Sequence, residues 1–345
     1  MDVTRIPFLL VDLVIYLFEV IPPFLPTIYA LAVPIALGAL CGVLCERSGV
    51  VNIGIEGIML MSAFFAYLTG FLFHETIGAL PALVLGVGVA VLVGVLMGTL
   101  HAWLSVTIRA DQIIAGVFLN VFAFGLTAYL NRLIITPSGR GGAGQLPQFR
   151  LPVEIVEIPV IGRILAMLLN QGPIAISLIV LVVGIHVLLF RSRWGLRTRA
   201  VGEHPKAADT VGIDVLRLRY RNVIIGCGIA GLAGAFIVLE RIGSFQNGMT
   251  DGRGFIALAA LIFGRWTPIG ALLGALMFGF FIGVDVMVNT VRPDSAELAG
   301  LLRSVPSEFY AALPYVVTIV ILAGVVGRSI PPAADGVPYE KEARA

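Results

Sequence analysis

The chain has 345 residues, 58% hydrophobic and 13% charged, with mean hydropathy +0.99 and a net charge of +2. Soluble domains carry about 25% charge, and a soluble fold of this length cannot hide so much apolar surface, so a soluble protein is excluded. The apolar residues run in stretches of roughly 20 rather than in alternating segments of roughly 10, so the spans are helices and not barrel strands.

Residues 6–21 form an apolar segment interrupted by Asp12 and Glu19. Only Arg5 supplies positive charge before it and the two acids interrupt it, so it reads as an uncleaved first span or an interfacial helix. Pro22, Pro23 and Pro26 are expected to end it. A strong span follows at about 26–45. The next stretch, Cys45 to Gly57, packs two glutamates, Arg47, Asn52 and three glycines into thirteen positions between two apolar runs. It is either a polar turn between helices or backbone broken at membrane depth. Apolar runs continue over 55–73, 79–104 and 113–130. Gly94 and Gly98 have the spacing that lets helix backbones approach closely in lipid. Asn120 sits inside the third run.

Residues 136–163 form a long loop that is not strongly basic, flexible at 139–144 and extended by Pro147, Pro152 and Pro159. A clear span occupies 172–190. Residues 191–221 then carry Arg191, Arg193, Arg197, Arg199, Lys206, Arg217, Arg219 and Arg221 against Glu203, Asp209 and Asp214. The positive-inside rule puts this loop in the cytoplasm. Pro205 suits a first helical turn and Gly212 a C-terminal cap, which predicts a short helix over about 205–211. The small-residue run 222–240 is expected to be packed on all sides. A second irregular patch, 243–254, precedes an apolar run at 255–264 that is too short to span alone. Residues 268–290 span, 291–305 form a polar loop, and 306–327 form the last span. The Pro-rich, charged tail 328–345 is expected to be disordered. The expected fold is all-α: one polytopic transmembrane domain over 1–345 with eight to ten membrane helices, broken or re-entrant segments among them.

Asn52–Ala63 and Thr250–Ala260 echo each other: polar residues, paired glycines, then a helix start. Gly-interrupted segments in corresponding positions of two halves point to a solute path near the midplane. The alternative is that glycine-rich membrane sequence resembles itself by chance. Catalytic motifs are missing from the sequence. It has no phosphate-binding Gly-x-x-x-x-Gly-Lys-Ser/Thr, no His-Glu-x-x-His and no Gly-x-Ser-x-Gly. No catalytic residue and no metal ligand set is expected. Cys41, Cys45 and Cys227 read as packing residues.

Glu46-Arg-Ser-Gly-Val-Val-Asn-Ile-Gly-Ile-Glu-Gly57 resembles the hallmark of permease subunits of ABC importers of the branched-chain amino acid/ribose class. Its form is most similar to the nucleoside and simple-sugar subgroup. Ala200–Ile213 resembles that family's cytoplasmic loop where an ATPase docks, and Gly252–Gly264 followed by Pro268-Ile-Gly270 resembles a third motif. Asp111-Gln-Ile-Ile-Ala-Gly116 resembles the second of two different permeases in nucleoside systems. The resemblance implies a non-catalytic permease in the cell (inner or plasma) membrane. It implies a second permease subunit (a heterodimer or a homodimer), a cytoplasmic ABC ATPase and an extracytoplasmic substrate-binding lipoprotein. No cofactor belongs to this chain; ATP and magnesium belong to the partner ATPase. No nucleic-acid partner is expected.

Glu46, Arg47, Asn52 and Glu56 either line the path or pair structurally, since charge in lipid needs partners or water. Asn120 either contacts solute or bonds a neighbouring helix. Gln246, Asn247, Asp251 and Arg253 either contact solute or form a solvated turn. Gly49, Gly54, Gly57, Gly252 and Gly254 are read as backbone-break glycines. Glu203, Pro205, Lys206, Asp209 and Gly212 form the expected ATPase-docking set.

Overall fold

The structure, a computed structural model, describes residues 6–138, 144–320 and 329–340. Every regular element among them is helical. The first helix, α1 (Ile6–Glu46), runs unbroken for 41 residues, about 60 Å at 1.5 Å per residue. Pro22, Pro23 and Pro26 therefore do not end the opening segment. Helices at membrane depth tolerate proline because neighbouring groups satisfy the carbonyls it frees. The helices α2 (Ile55–Ile77) and α3 (Ala79–Ala102) follow, α3 ending in a π-helical turn at Trp103–Thr107. Asp111 caps α4 (Gln112–Leu130) by accepting from Ile113 N and Ile114 N at 2.9 and 3.0 Å.

Two short helices, α5 (Val153–Val156) and α6 (Ile161–Leu169), precede α7 (Pro173–Arg191), which opens on a proline. The expected flexible run falls mostly on 139–143, outside the described residues. Next come α8 (Arg193–Glu203), α9 (Pro205–Thr210) and α10 (Val215–Ala235), the last ending in a π turn at Phe236–Ile242. The chain continues through α11 (Arg253–Phe263), α12 (Pro268–Thr290), α13 (Ala296–Ser304) and α14 (Ser307–Val320).

Seven helices among the described residues are long and apolar enough to cross a membrane. The difference from eight to ten has three sources. Residues 6–21 and 26–45 are one helix, not two. The 11 residues of α11 reach only about 16 Å into a hydrocarbon core about 30 Å thick. The last expected span leaves the described residues after Val320.

The chain divides into two compact units. The smaller comprises Met1–Ala32, Phe149–Gln171 and Leu276–Arg328. Its apolar centre is Tyr16, Met287 and Leu298, and the Tyr16 hydroxyl donates to Val291 O at 2.8 Å. The larger comprises Val33–Gln148, Gly172–Ala275 and Ser329–Ala345. In it α2, α3 and α10 pack backbone to backbone. A Cβ on Gly94 would lie 2.3 Å from Cys227 O, and one on Gly231 2.4 Å from Ala90 O. The glycine spacing on α3 and the small residues of α10 serve this approach.

The tail departs from the expected disorder. Ala334 and Tyr339 are buried, and Ala334 N donates to Gly202 O at 2.8 Å. Polar, proline-rich composition argued for disorder, but the segment's backbone donors and its tyrosine find partners in the larger unit. The rest of the tail, 341–345, lies outside the described residues.

Candidate functional site

The polar stretch after α1 is a built break in the backbone. Val50 N bonds to Cys45 O at 3.1 Å and Gly49 N to Glu46 O at 2.9 Å. This pair closes a helix on a left-handed residue, and Gly49 supplies it with φ +85°. Residues 50–54 are then non-helical, so their buried backbone groups need other partners. Side chains provide them. Gln112 Oε1 accepts from Val51 N at 2.7 Å, and His101 Nε2 donates to Val51 O at 2.9 Å. Asn120 bridges two points: its Nδ2 donates to Ile53 O at 3.0 Å and its Oδ1 accepts from Gly57 N at 2.7 Å. Asn52 Oδ1 accepts from Gly54 N at 3.0 Å. The polar residues inside the apolar runs are thus the ones that hold the break.

The second break precedes α11, and the two breaks meet. Glu56, 1% exposed in the first turn of α2, points its carboxylate at the start of α11. Its Oε1 accepts from Gly252 N at 2.9 Å and its Oε2 from Gly254 N at 2.6 Å. A carboxylate at free N–H groups of a helix N-terminus is favourably placed. A Cβ on Gly254 would lie 2.5 Å from Glu56 Cα, and one on Gly57 2.7 Å from Asn120 Cα. The expected pathway set therefore divides. Glu46, Asn52, Glu56 and Asn120 are buried. Gln246, Asn247 and Asp251 are exposed at the second break, where Asn247 Oδ1 accepts from Asn131 Nδ2 at 3.0 Å. Arg253 Nη1 turns back onto Met249 O and Thr250 O.

At the end of α1, Glu46 accepts from the indole Nε1 of Trp266. Arg47 fixes the same turn by donating from Nε to Trp266 O at 2.8 Å. The basic loop abuts this corner: a Cβ on Gly202 would lie 2.3 Å from Arg47 O. The loop contains the short helix expected from Pro205 and Gly212. Gly212, at φ +84°, closes α9 with Gly212 N to Asp209 O at 3.0 Å and Ile213 N to Ala208 O at 3.1 Å. Val201, Ala208, Val215, Leu218 and Tyr339 form an apolar cluster under it. Glu203 does not point outward alone: its Oε2 accepts from Ala333 N at 3.1 Å. Lys206 is exposed, Pro205 and Asp209 are half-buried, and Val211 at the tip is 76% exposed.

Three features escaped the sequence reading. Gln112 and His101 hold the first break from the ends of α4 and α3, and a polar residue at the end of an apolar run is a weak signal. Glu240, 1% exposed, caps α7 by accepting from Ile174 N and from Ala175 N. Gly172 makes room, since a Cβ there would lie 2.4 Å from the Glu240 carboxyl carbon. The third is that Cys227 joins Cys41 and Cys45, with all three sulfurs within 4.8 Å of one another. Asn52 Nδ2 donates to Cys227 Sγ at 3.3 Å and reaches the other two at 3.7 Å.

Comparison with known proteins shows the family of the chain. The family model described as branched-chain amino acid transport system / permease component matches residues 24–322. A Bacillus subtilis (strain 168) protein, guanosine ABC transporter permease protein NupQ, is 37% identical over 94% of this chain and 99% of its own length. Nucleoside ABC transporter permease protein NupC of Lactococcus lactis is 36% identical over 89% of this chain and 93% of its own. A putative glucose ABC transporter permease protein, TsgC13 of Haloferax volcanii, is 33% identical over 86% and 90%. The chain belongs to the family of permease components of branched-chain amino acid-type transport systems and is a multi-pass membrane protein.

Proposed function

We propose that this chain is the membrane subunit of an ATP-driven importer and forms the path for a nucleoside. The observation that carries the reading is the cytoplasmic loop: a capped short helix seated on an apolar cluster, with Val211 bare at its tip. Leu196 and Leu216 of the same loop are exposed as well, and several exposed apolar side chains on one segment suit a protein partner. The names of the two relatives at 36–37% identity support the nucleoside. The glucose-permease relative supports a simple sugar as the second reading. ATP hydrolysis belongs to a separate cytoplasmic subunit docked on α9, solute is delivered by an extracytoplasmic binding lipoprotein, and a second permease completes the path. Rocking of the spans around the breaks exposes the site alternately. A secondary transporter would need no docking helix.

Lys206→Glu combined with Val211→Glu is expected to lower co-purification of the ATPase subunit at least tenfold, with the permease still inserted. Both positions are exposed, so the fold is spared. Unchanged co-purification would remove α9 as the docking site. Glu203 is a poorer probe because it also holds the tail.

A further inference from the structure

The loop that takes the push and the break that must move are joined by a third element, the tail segment 329–340. We propose that this segment is a coupling strap, with Arg219 and Asp335 as its positioning residues, that carries displacement of α8 and α9 to the first break. The proposal rests on the importer reading for its consequence, though not for its geometry.

One edge of the strap grips the loop. Ala334 N donates to Gly202 O at 2.8 Å and Ala333 N to Glu203 Oε2 at 3.1 Å. Its other edge grips the break through Arg219, a 1% exposed arginine near the start of α10. Arg219 Nε donates to Ser48 O at 3.1 Å and Nη1 to Val337 O at 2.9 Å. One rigid guanidinium therefore holds the break's backbone and the strap's backbone together, a geometry lysine does not reproduce. A Cβ on Gly49 would lie 2.6 Å from Arg219 Nη2 and 2.9 Å from Ala334 O, so the three pieces are in contact. The ends are anchored as well. Ser329 Oγ donates to Ile262 O at the end of α11 at 2.7 Å, and Glu340 pairs with Arg109 at 2.7 Å. Pro331, Pro332 and Pro338 stiffen the segment, and a stiff tie transmits displacement where a slack one absorbs it.

The carboxyl of Asp335 meets that of Glu46 at the break, with Cys45 and Arg219 as the other charged or titratable neighbours. Two facing carboxyls share a proton more readily than they both ionise. Burial pushes Asp335 from its ordinary value of 3.8 up to about 7; the Glu46 hydrogen bond and Arg219 pull the other way. Its pKa is raised in the docked state, so docking draws on the protonated form. Strap attachment is then strongest below pH 3.8, weakens as pH rises toward about 7, and changes no further above it.

Two measurements test the strap. The first uses the permease alone and compares maleimide labelling of Ala334→Cys with that of Val337→Cys, one position buried and one exposed. The ratio is expected to be at least tenfold below one at pH 6, to rise by pH 8, and to stay near one at both values with Arg219→Lys added. A ratio near one in the unsubstituted background at pH 6 would overturn the docked strap. The second uses the complete transporter in proteoliposomes and counts solute taken up per ATP hydrolysed. Arg219→Lys is expected to lower that ratio at least tenfold with the ATPase still bound. Asp335→Asn is expected to flatten its fall between pH 6 and 8. Equal uptake per ATP in Arg219→Lys, or an unchanged pH step in Asp335→Asn, would overturn the coupling role. Failure of the unsubstituted complex to show ATP-driven uptake would overturn the importer reading instead, and the labelling ratio would still decide the strap.

Discussion

Glu56→Ala is expected to destabilise the larger unit by about 3–5 kcal/mol, because hydrogen bonds to a charged group contribute about 1.5–3 kcal/mol each. Two such bonds, from Gly252 N and Gly254 N, end on this carboxylate. Removing it leaves both donors without their acceptor at the mouth of α11 and opens space under the meeting point of the two breaks. Glu56→Gln keeps the shape and one acceptor oxygen, so about half the loss is expected. The check is the unfolding midpoint in detergent, with yield in the membrane as a second reading. Equal midpoints for the alanine variant and the parent would show that Glu56 does not hold the breaks together, leaving it free to serve solute.

The glycines at the same junction give the second large effect. Gly254→Ala puts a methyl 2.5 Å from Glu56 Cα and N, and Gly57→Ala one 2.7 Å from Asn120 Cα. Both neighbours are backbone, which gives way only by shifting a helix. Overpacking of this kind costs about 1–3 kcal/mol or more, and here it also parts Asn120 from Gly57 N. Gly88 and Gly125 are the internal controls, since a Cβ at either meets nothing within 4 Å. Alanine there is expected to be neutral or stabilising by up to about 1 kcal/mol. A thermal scan of the four variants checks the contrast. Equal behaviour at junction and control positions would contradict the tight junction.

Much of this was legible in the chain itself. The apolar runs located the spans because lipid demands continuous apolar helices. The basic loop announced, through Pro205 and Gly212, its short helix. The first break was visible as polar density between Cys45 and Gly57. Less visible was the direction in which each polar side chain pointed. Asn52, Glu56 and Asn120 are as suited to a solute as to a backbone amide, and only the fold shows that backbone groups occupy them. The union of the two breaks through Glu56 links residues 196 apart in the sequence, beyond the reach of local pattern. The tail misled for the same reason: composition reports polarity, whereas order came from Gly202, Glu203 and Arg219 presenting partners. Pro22, Pro23 and Pro26 misled because rules for helix ends in water weaken where neighbouring helices satisfy the freed carbonyls.

The central claim is that this chain carries solute only when a partner hydrolyses ATP. Its most direct test is uptake of labelled guanosine into proteoliposomes holding this permease, its second permease, the ATPase and the binding lipoprotein. The account predicts uptake with ATP on the ATPase side, loss of it without ATP, and indifference to an imposed proton or sodium gradient. Uptake driven by an ion gradient in ATP-depleted vesicles would contradict it.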